Sequence, residues 1–350
     1  MRIALIAPPW APVPPPRYGG TELVVDLLAR GYAAAGHDVT LFTTGDSTCP
    51  VSRDWVFERA EWSRLGALDV ELRHTLHAYD SIAGFDVVHD NTLAGPLLST
   101  RPRAMPVVVT AHGDFASDLH DVYRAMGRVG RLVAISHAQV ASAPDINVAR
   151  VIHHGVDTAA LPFGAGDGGY LLFLGRMSPD KGVHRAVAVA RAAGVPLRIA
   201  AKLAEPAEWA YFKDKIEPEL SSDIEYVGEV APPEKASLLR GARALLFPIQ
   251  WPEPFGLVMA EALSSGTPVL AFRAGSAAEV VEDGVTGFLC ADDAAMVAAV
   301  GQLDSIARLE CRRAAEEYFC AERMVDEYLL LFEQLTAERR DDRSGRLTHA

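Results

Sequence analysis

The chain is predicted to fold into two α/β domains, each built on a doubly wound parallel sheet. Short, solidly apolar segments alternate with helical patterns along its length, which is typical of parallel sheets covered by helices on both faces. At 350 residues the chain is too long for one ordinary core. Glycine accumulates in FGAGDGG, at residues 163–169, where the hydrophobic periodicity lapses. We therefore expect one domain at residues 1–162 and a second at residues 163–321.

Six segments on each side of this glycine-rich stretch are predicted to be strands. The first six are RIALIA, VTLFTT, FDVVHD, PVVVTAHG, RLVAISHA and ARVIHHG, and the last six are YLLFLGR, PLRIAAK, IEYVG, ALLFPI, PVLAF and GFLC. Helical patterns such as TELVVDLLARGYAAAGH and HRAVAVARAAG lie between them. Residues 45–80 carry aromatic residues, histidines and scattered charge, and we expect helix with loose connections there.

Composition and charge argue against several classes of protein. A hydrophobic content of 49% and a charged content of 23% are those of a soluble globular protein. The opening MRIALIAPPW is predicted to be a strand rather than a signal peptide, because its apolar stretch is short and ends in prolines. The net charge of −13 argues against nucleic acid as a general partner. The four cysteines lack metal-binding spacing, so we expect no zinc site and a reduced, cytoplasmic setting.

The most distinctive segment is EPFGLVMAE, which runs from Glu253 to Glu261. Proline before the motif cannot lie inside a helix, so Glu253 is predicted in a loop and Glu261 within a short helix that starts near Gly256. That helix is apolar nearly all round and should be buried, and a buried carboxylate must be paired or hydrogen-bonded. Two carboxylates around a helix N-terminus suit a ligand with a central anion and hydroxyls at both ends, such as a nucleotide sugar. The alternative is that both glutamates are surface charges.

Cations and glycines follow other predicted strands. Arg176 and Lys181 lie in GRMSPDKG at the start of a helix, where two cations suit a diphosphate. Arg176 could instead pair with Asp180 across the turn. In RYGGTE, Gly19 and Gly20 let backbone amides approach a phosphate at a second helix start. This is not the GxGxxG dinucleotide fingerprint, which argues against a dehydrogenase.

Two further strand ends carry weaker candidates. His112 follows the strand PVVVT, and the alternative is a histidine that is hydrogen-bonded within its own turn. Backbone groups at Glu229 and Val230, in GEVAPPEK, could meet the edge of a base. The alternative there is an ordinary strand-to-helix loop.

Together these segments resemble those of the family 4 retaining glycosyltransferases, which have the GT-B fold. The resemblance rests on GGTE, GRMSPDKG, EPFGLVMAE and the following TPVLAFRAGSAAEVVEDGVTGFL, and it spans roughly residues 1–335. It implies two facing Rossmann-like domains with a cleft between them. It also implies that a terminal helix, at about residues 322–337, crosses back onto the first domain.

The family pattern gives a role to each matched position of this chain. It places Arg176 and Lys181 on the donor diphosphate, Glu261 on the ribose hydroxyls and Glu253 on hydroxyls of the transferred sugar. His112 matches a histidine near the 6-hydroxyl and the anomeric carbon of the sugar. The remaining donor contacts implied by the pattern are Gly20 and the backbone amides of Phe255, Gly256 and Leu257.

The chain contains no Asp-x-Asp motif, so we expect no metal and no other cofactor. Arg176, Lys181 and helix N-termini would then stabilise the departing diphosphate. The alternative mechanism is inverting, with His112 or Asp114 as general base. Two other functions stay open: a nucleotide-sugar enzyme of the hydrolysing 2-epimerase type, and a catalytically silent module that binds nucleotide sugar.

Family frequencies favour UDP-glucose as the donor, with GDP-mannose second. The first domain is expected to bind the acceptor through the loop 113–120 and four polar residues: His89, Asp90, Asn91 and Asp114. Three arginines between residues 124 and 131 are expected to lie on a solvated helix face. We therefore predict a soluble small-molecule or saccharide acceptor and no stable membrane insertion.

Overall fold

A computed structural model describes residues 1–93, 95–98 and 105–347 of the chain. The chain divides into two compact units. The N-terminal unit contains Met1–Pro15, Gly19–His154 and the chain from Ala321 onward, and the C-terminal unit contains Pro16–Tyr18 and Gly155–Cys320. Each unit is an α/β fold of the Rossmann type.

The N-terminal unit is built on a seven-stranded sheet in which all neighbouring strands are parallel. Its strands are β1 (Arg2–Ile6), β2 (Asp38–Thr43), β3 (Ser52–Trp55), β4 (Val87–Asp90), β5 (Val107–Ala111), β6 (Arg131–Ala134) and β7 (Arg150–Val151). The helices between them are α1 (Gly20–Ala34), α2 (Leu68–Ser81), α3 (Gly95–Leu98), α4 (His120–Val129) and α5 (His137–Ser142). The strand order is β3-β2-β1-β4-β5-β6-β7, so the winding reverses between β1 and β4.

The C-terminal unit is built on a six-stranded parallel sheet. Its strands are β8 (Leu171–Arg176), β9 (Leu197–Lys202), β10 (Ile224–Gly228), β11 (Ala244–Phe247), β12 (Val269–Phe272) and β13 (Gly287–Cys290). Its helices are α6 (Val183–Ala193), α7 (Pro206–Tyr211), α8 (Pro232–Gly241), α9 (Leu257–Ser264), α10 (Ala277–Val280), α11 (Asp293–Val300) and α12 (Arg308–Tyr318). The order β10-β9-β8-β11-β12-β13 reverses between β8 and β11.

The last helix, α13 (Ala321–Leu347), packs within the N-terminal unit against α1. Gly31 of α1 permits this approach, because a Cβ there would lie 2.3 Å from Cγ2 of Val325. Tyr328 is fully buried, and its hydroxyl lies 2.7 Å from Oγ1 of Thr110 on β5. Among the described helices, none is long and apolar enough to span a bilayer.

All twelve predicted strands are present, and residues 45–80 differ from the prediction in one respect. That segment contains the helix α2, as expected, but also the edge strand β3, which pairs in parallel with β2. The sequence of β3, SRDW, is polar and largely exposed, so it lacks the apolar signal of a buried strand.

The glycine-rich segment 163–169 has a structural role within the C-terminal unit. Gly164 donates its backbone N–H to the carbonyl of Ser265 at 3.0 Å, and Gly166 donates to that of Arg240 at 3.1 Å. A Cβ on Gly164 would lie 2.1 Å from the carbonyl oxygen of Arg240. Glycine is needed here for close backbone approach. The two units divide after His154, which is earlier in the chain than the boundary expected at residue 163.

Candidate functional site

The carboxyl ends of β8 and β11 flank the point where the C-terminal sheet reverses its winding, which is where ligands bind in open α/β sheets. Arg176 ends β8, and a short turn from Pro179 to Lys181 leads from it to α6. Gly182 at this junction has φ 75°, and a Cβ there would lie 2.1 Å from the carbonyl oxygen of Pro248. This close approach brings the loop after β8 against the loop after β11.

Lys181 and Glu253 are in direct contact across these two loops. The Lys181 ammonium donates to Oε2 of Glu253 and lies 5.0 Å from the centre of the Trp251 ring. Trp251 donates its indole N–H to the same oxygen at 3.0 Å. No described residue donates to Oε1 of Glu253, so one oxygen of this carboxylate is held and the other is available to a ligand. The sequence predicted both charged residues and missed Trp251.

The backbone of Glu253 is fixed by the loop that follows β12. Its carbonyl accepts the N–H of Ser276 at 3.0 Å. Gly275 has φ 54°, and a Cβ there would lie 2.3 Å from that carbonyl oxygen. Glycine is therefore required at this position for the loop to reach Glu253.

The helix α9 begins at Leu257, close to the start near Gly256 that the sequence predicted. Gly256 precedes it with φ 75°, and no side chain caps its first turn. Phe255 is 2% exposed, and its carbonyl accepts the hydroxyl of Ser276 at 2.7 Å. The N-terminus of α9, starting at Leu257, therefore has the open amides and positive end that favour an anion.

Glu261 lies on α9 and is 4% exposed, so its predicted burial is confirmed. Its Oε1 is 2.5 Å from the ammonium of Lys235, which lies on α8. Lys235 was not predicted as a site residue, although the segment GEVAPPEK that contains it was singled out. No other described residue donates to the Glu261 carboxylate.

Arg176, at the end of β8, provides a second positive charge near this site. Its guanidinium lies 3.6 Å from Oδ2 of Asp180, and both side chains are 37% exposed. The pairing that the sequence left as an alternative is therefore present. Ion pairs at this exposure contribute little, and a guanidinium has five N–H donors, so Arg176 keeps donors for a further anion.

Glu229 and Val230 follow β10 and are half-buried. The Glu229 carboxylate accepts the backbone N–H of Tyr18 at 3.2 Å and lies 4.0 Å from the guanidinium of Arg17. These partners come from Pro16–Tyr18, the short segment that belongs to the C-terminal unit. The side chain of Glu229 is thus occupied, which leaves the backbone groups named in the prediction.

Gly19 and Gly20 form the start of α1 in the N-terminal unit. Gly19 precedes the helix, provides no side-chain cap and accepts the N–H of Leu23 at 3.1 Å. A Cβ on Gly19 would lie 2.7 Å from Cβ of Pro15. The start of α1 is therefore a second helix N-terminus whose first turn is not capped by the side chain of the preceding residue.

His112 directly follows β5, as predicted, and contacts Asn91. Its Nε2 lies 3.0 Å from Oδ1 of Asn91, and its ring stacks on that of His154 with centroids 5.1 Å apart. Burial lowers the pKa of His112 to about 4, so the ring is neutral at pH 7.

His89 and Asp90 differ from the other acceptor candidates, because the structure places both inside the core. His89 is fully buried on β4, bonded to the hydroxyls of Tyr32 at 3.0 Å and Thr110 at 2.8 Å. Asp90 is also fully buried, accepts the hydroxyl of Tyr79 at 2.7 Å, and has a pKa that burial raises to about 6. We therefore leave both residues out of the acceptor site.

The two remaining acceptor candidates, Asp114 and Asn91, differ in how deeply they are buried. Asp114 is half-buried and accepts the backbone N–H of Ala116 at 3.0 Å. Asn91 is 3% exposed and bonds to His112, as described above. Within the described ranges, no cluster of three or more histidine, cysteine or acidic side chains has the geometry of a metal site.

Comparison with known proteins identifies related sequences along most of the chain. Residues 18–160 match the family model Glycosyltransferase Family 4, and residues 168–305 match Glycosyl transferases group 1. The glycogen synthase of Mycobacterium tuberculosis is 28% identical over 377 aligned positions, which cover 91% of this chain and 90% of that protein.

Solved structures share the architecture. AviGT4, a glycosyltransferase involved in avilamycin A biosynthesis, is 27% identical with a TM-score of 0.71 over 96% of this chain and 98% of its own. Alr3699/HepE of Anabaena, solved in complex with UDP and glucose, has a TM-score of 0.75 over 96% of this chain and 100% of its own. At 19% identity, the latter similarity concerns the fold alone.

Proposed function

The chain belongs to glycosyltransferase family 4, and on that premise we propose that it transfers a hexose from a nucleotide-diphosphate sugar with retention of anomeric configuration. As a member of this family with the GT-B fold, it is a glycosyltransferase that uses a nucleotide-sugar donor. UDP-glucose is the proposed donor, with GDP-mannose second. The proposed acceptor is a hydroxyl of a soluble small molecule or saccharide.

One observation carries this proposal: Lys181 and Glu253 are in contact beside the open N-terminus of α9. An ammonium group has three donors, so Lys181 can hold Glu253 and a phosphate oxygen together. The positive end of α9 favours the same anion. Glu253 precedes that helix and Glu261 lies within it, and in this proposal their open oxygens accept hydroxyls of the sugar and of the ribose.

The chemical barrier lies in expelling a nucleoside diphosphate while positive charge develops at the anomeric carbon. In the proposed mechanism Arg176, Lys181 and the N-terminus of α9 stabilise the departing charge without a divalent metal. Fixed donors of this kind act by electrostatic preorganisation, and removing one donor typically costs about 10²- to 10³-fold in rate. Glu253 orients the sugar and does not attack it.

The chemistry of His112 argues against its being the general base of an inverting mechanism. A general base is most effective when its pKa is near the working pH, and burial lowers the pKa of His112 to about 4. His112 is therefore a weak base, and we propose that it orients the donor while the leaving phosphate takes the acceptor's proton. The anomeric configuration of the product tests this, because a β-linked sugar from an α-linked donor would refute retention.

Acceptor-dependent release of UDP separates the proposed transferase from its alternatives. A transferase releases UDP faster when a suitable acceptor hydroxyl is supplied. An enzyme of the hydrolysing 2-epimerase type releases UDP at a rate that does not depend on acceptor. A silent binding module releases none, although it binds the donor.

The donor base is tested by thermal unfolding in the presence of UDP, GDP and ADP. We expect UDP to raise the melting temperature most, because a ligand that binds only the native state stabilises it by about 2.7 kcal/mol at a hundred times its Kd. For a chain of this size that corresponds to a shift of roughly 4 °C. A larger shift with GDP would change the proposed donor to GDP-mannose, and no shift with any of the three would contradict the proposed donor site.

A further inference from the structure

Both carboxylates of the motif EPFGLVMAE are held in the same way. Lys181 contacts Oε2 of Glu253, and Lys235 contacts Oε1 of Glu261 at 2.5 Å. In each case the other carboxylate oxygen has no donor among the residues that the structure describes. A lysine therefore orients each carboxylate by one oxygen and leaves the second oxygen free to accept a hydroxyl.

Lys235 stands at a position where its own helix does not favour a cation. It lies in the first turn of α8, and the positive end of the helix dipole disfavours cations there. Pro232 and Pro233 open that helix and fix its backbone, because the proline ring restricts φ. The backbone that carries Lys235 is thus fixed at a place unfavourable for a cation, and the favourable interaction of its side chain is the one with Glu261.

The burial of Glu261 also indicates that Lys235 is needed as its partner. The side chain of Glu261 is 5% exposed, whereas that of Lys235 is 23% exposed. A carboxylate so deeply buried needs a compensating cation, and Lys235 is the only cation that contacts it among the described residues. Without this contact the Glu261 carboxylate would lose the interaction that fixes its orientation.

We propose that Lys235 is a positioning residue of the donor site, which aims the free oxygen of Glu261 at the ribose hydroxyls and so determines the preference for ribonucleotides. This inference rests on the proposed function, because it takes Glu261 to face the ribose of the donor. Lys235 acts through Glu261 and contacts neither the sugar nor the diphosphate. Its contribution should therefore appear only when the nucleotide has hydroxyls for Glu261 to accept.

The test compares the affinities of UDP and 2′,3′-dideoxy-UDP by calorimetry, for the unmodified chain and for Lys235→Met. A hydrogen bond to a charged group is worth about 10- to 100-fold in affinity, so the unmodified chain should prefer UDP by that factor. Lys235→Met keeps the length of the side chain and removes its charge. We expect it to lose most of the preference while its affinity for the dideoxynucleotide changes by less than about 3-fold, as a double-mutant cycle requires of a specific coupling.

Two further variants control this measurement. Lys213→Met removes a charge from an exposed position of the same unit and should leave the preference unchanged. Lys235→Arg keeps a cation beside Glu261 and should retain part of the preference. If Lys235→Met does not fold, Lys235→Gln replaces it, since it keeps a donor and should show a partial loss.

The outcomes separate this inference from the proposed function. Equal losses of UDP and dideoxy-UDP affinity in Lys235→Met would overturn it, as would an unchanged preference. If the unmodified chain binds UDP without preferring it over dideoxy-UDP, the inference also fails while the donor site stands. If the chain binds neither UDP nor GDP, the proposed donor site itself is wrong.

Discussion

Lys181→Ala is expected to lower kcat by about 10²- to 10³-fold, the typical cost of removing one fixed donor from a developing negative charge. The variant loses the ammonium beside the N-terminus of α9 and also the partner that holds Oε2 of Glu253. Because the interaction strengthens as the diphosphate departs, kcat should fall far more than KM rises. The measurement is steady-state release of UDP from UDP-glucose with an acceptor present.

Two matched variants control this prediction. Lys213→Ala removes an equal charge from an exposed position and should change kcat by less than about 2-fold, since screening weakens distant surface charges. Tyr18→Phe removes a hydroxyl from the segment that contacts Glu229 and should have a far smaller effect than Lys181→Ala. Equal losses in Lys181→Ala and Tyr18→Phe would place the diphosphate elsewhere.

Glu261→Ala is expected to lower the affinities for UDP and GDP by the same factor, about 10- to 100-fold. The ribose loses a carboxylate acceptor whichever base is attached. The variant also leaves Lys235 without its partner on α9. Calorimetric titration with both nucleotides measures the effect. Glu261→Gln, which keeps the shape and one acceptor oxygen, should lose less.

A control for Glu261→Ala is available on the neighbouring helix. Glu234 is exposed in the first turn of α8, next to Lys235, and Glu234→Ala should leave both affinities within about 2-fold. Unchanged UDP and GDP affinity in Glu261→Ala would remove Glu261 from the ribose site. A loss confined to one nucleotide would instead assign it to the base.

The fold was predictable because its signal is local and repeated. Strands such as β1, β5 and β11 are uninterrupted apolar segments bounded by turns, and parallel sheets require that pattern. The course of the chain from Glu253 to Glu261 was predictable for a similar reason. Proline before the motif and glycine after it restrict where a helix can start and stop.

The partners of the charged residues were not predictable in the same way. Lys235 lies on α8 and Glu261 on α9, and only tertiary packing brings the two together. The signal for a partner was nevertheless present, because a carboxylate on an apolar helix had to be compensated by some cation. From the sequence it could be inferred that a cation compensates this carboxylate, but not which lysine provides it.

His89 and Asp90 show the opposite limit. Both lie at the end of an apolar strand, where side chains alternate between the two faces and where ligand-binding residues also occur. The sequence VVHD does not show that hydroxyls of Tyr32, Thr110 and Tyr79 are available to satisfy them inside the core. Polar residues at strand ends can therefore be structural when distant parts of the chain supply hydrogen-bond partners.

In the proposed mechanism, fixed cations and a helix N-terminus bind the donor diphosphate without a divalent metal. Its most direct test is a calorimetric titration of UDP-glucose in the presence of a chelator, for the unmodified chain and for the double variant Arg176→Ala with Lys181→Ala. We predict saturable binding that the chelator leaves unchanged, and a loss of at least about 100-fold in the double variant. Binding that appears only when magnesium is added, or that survives both substitutions, would contradict it.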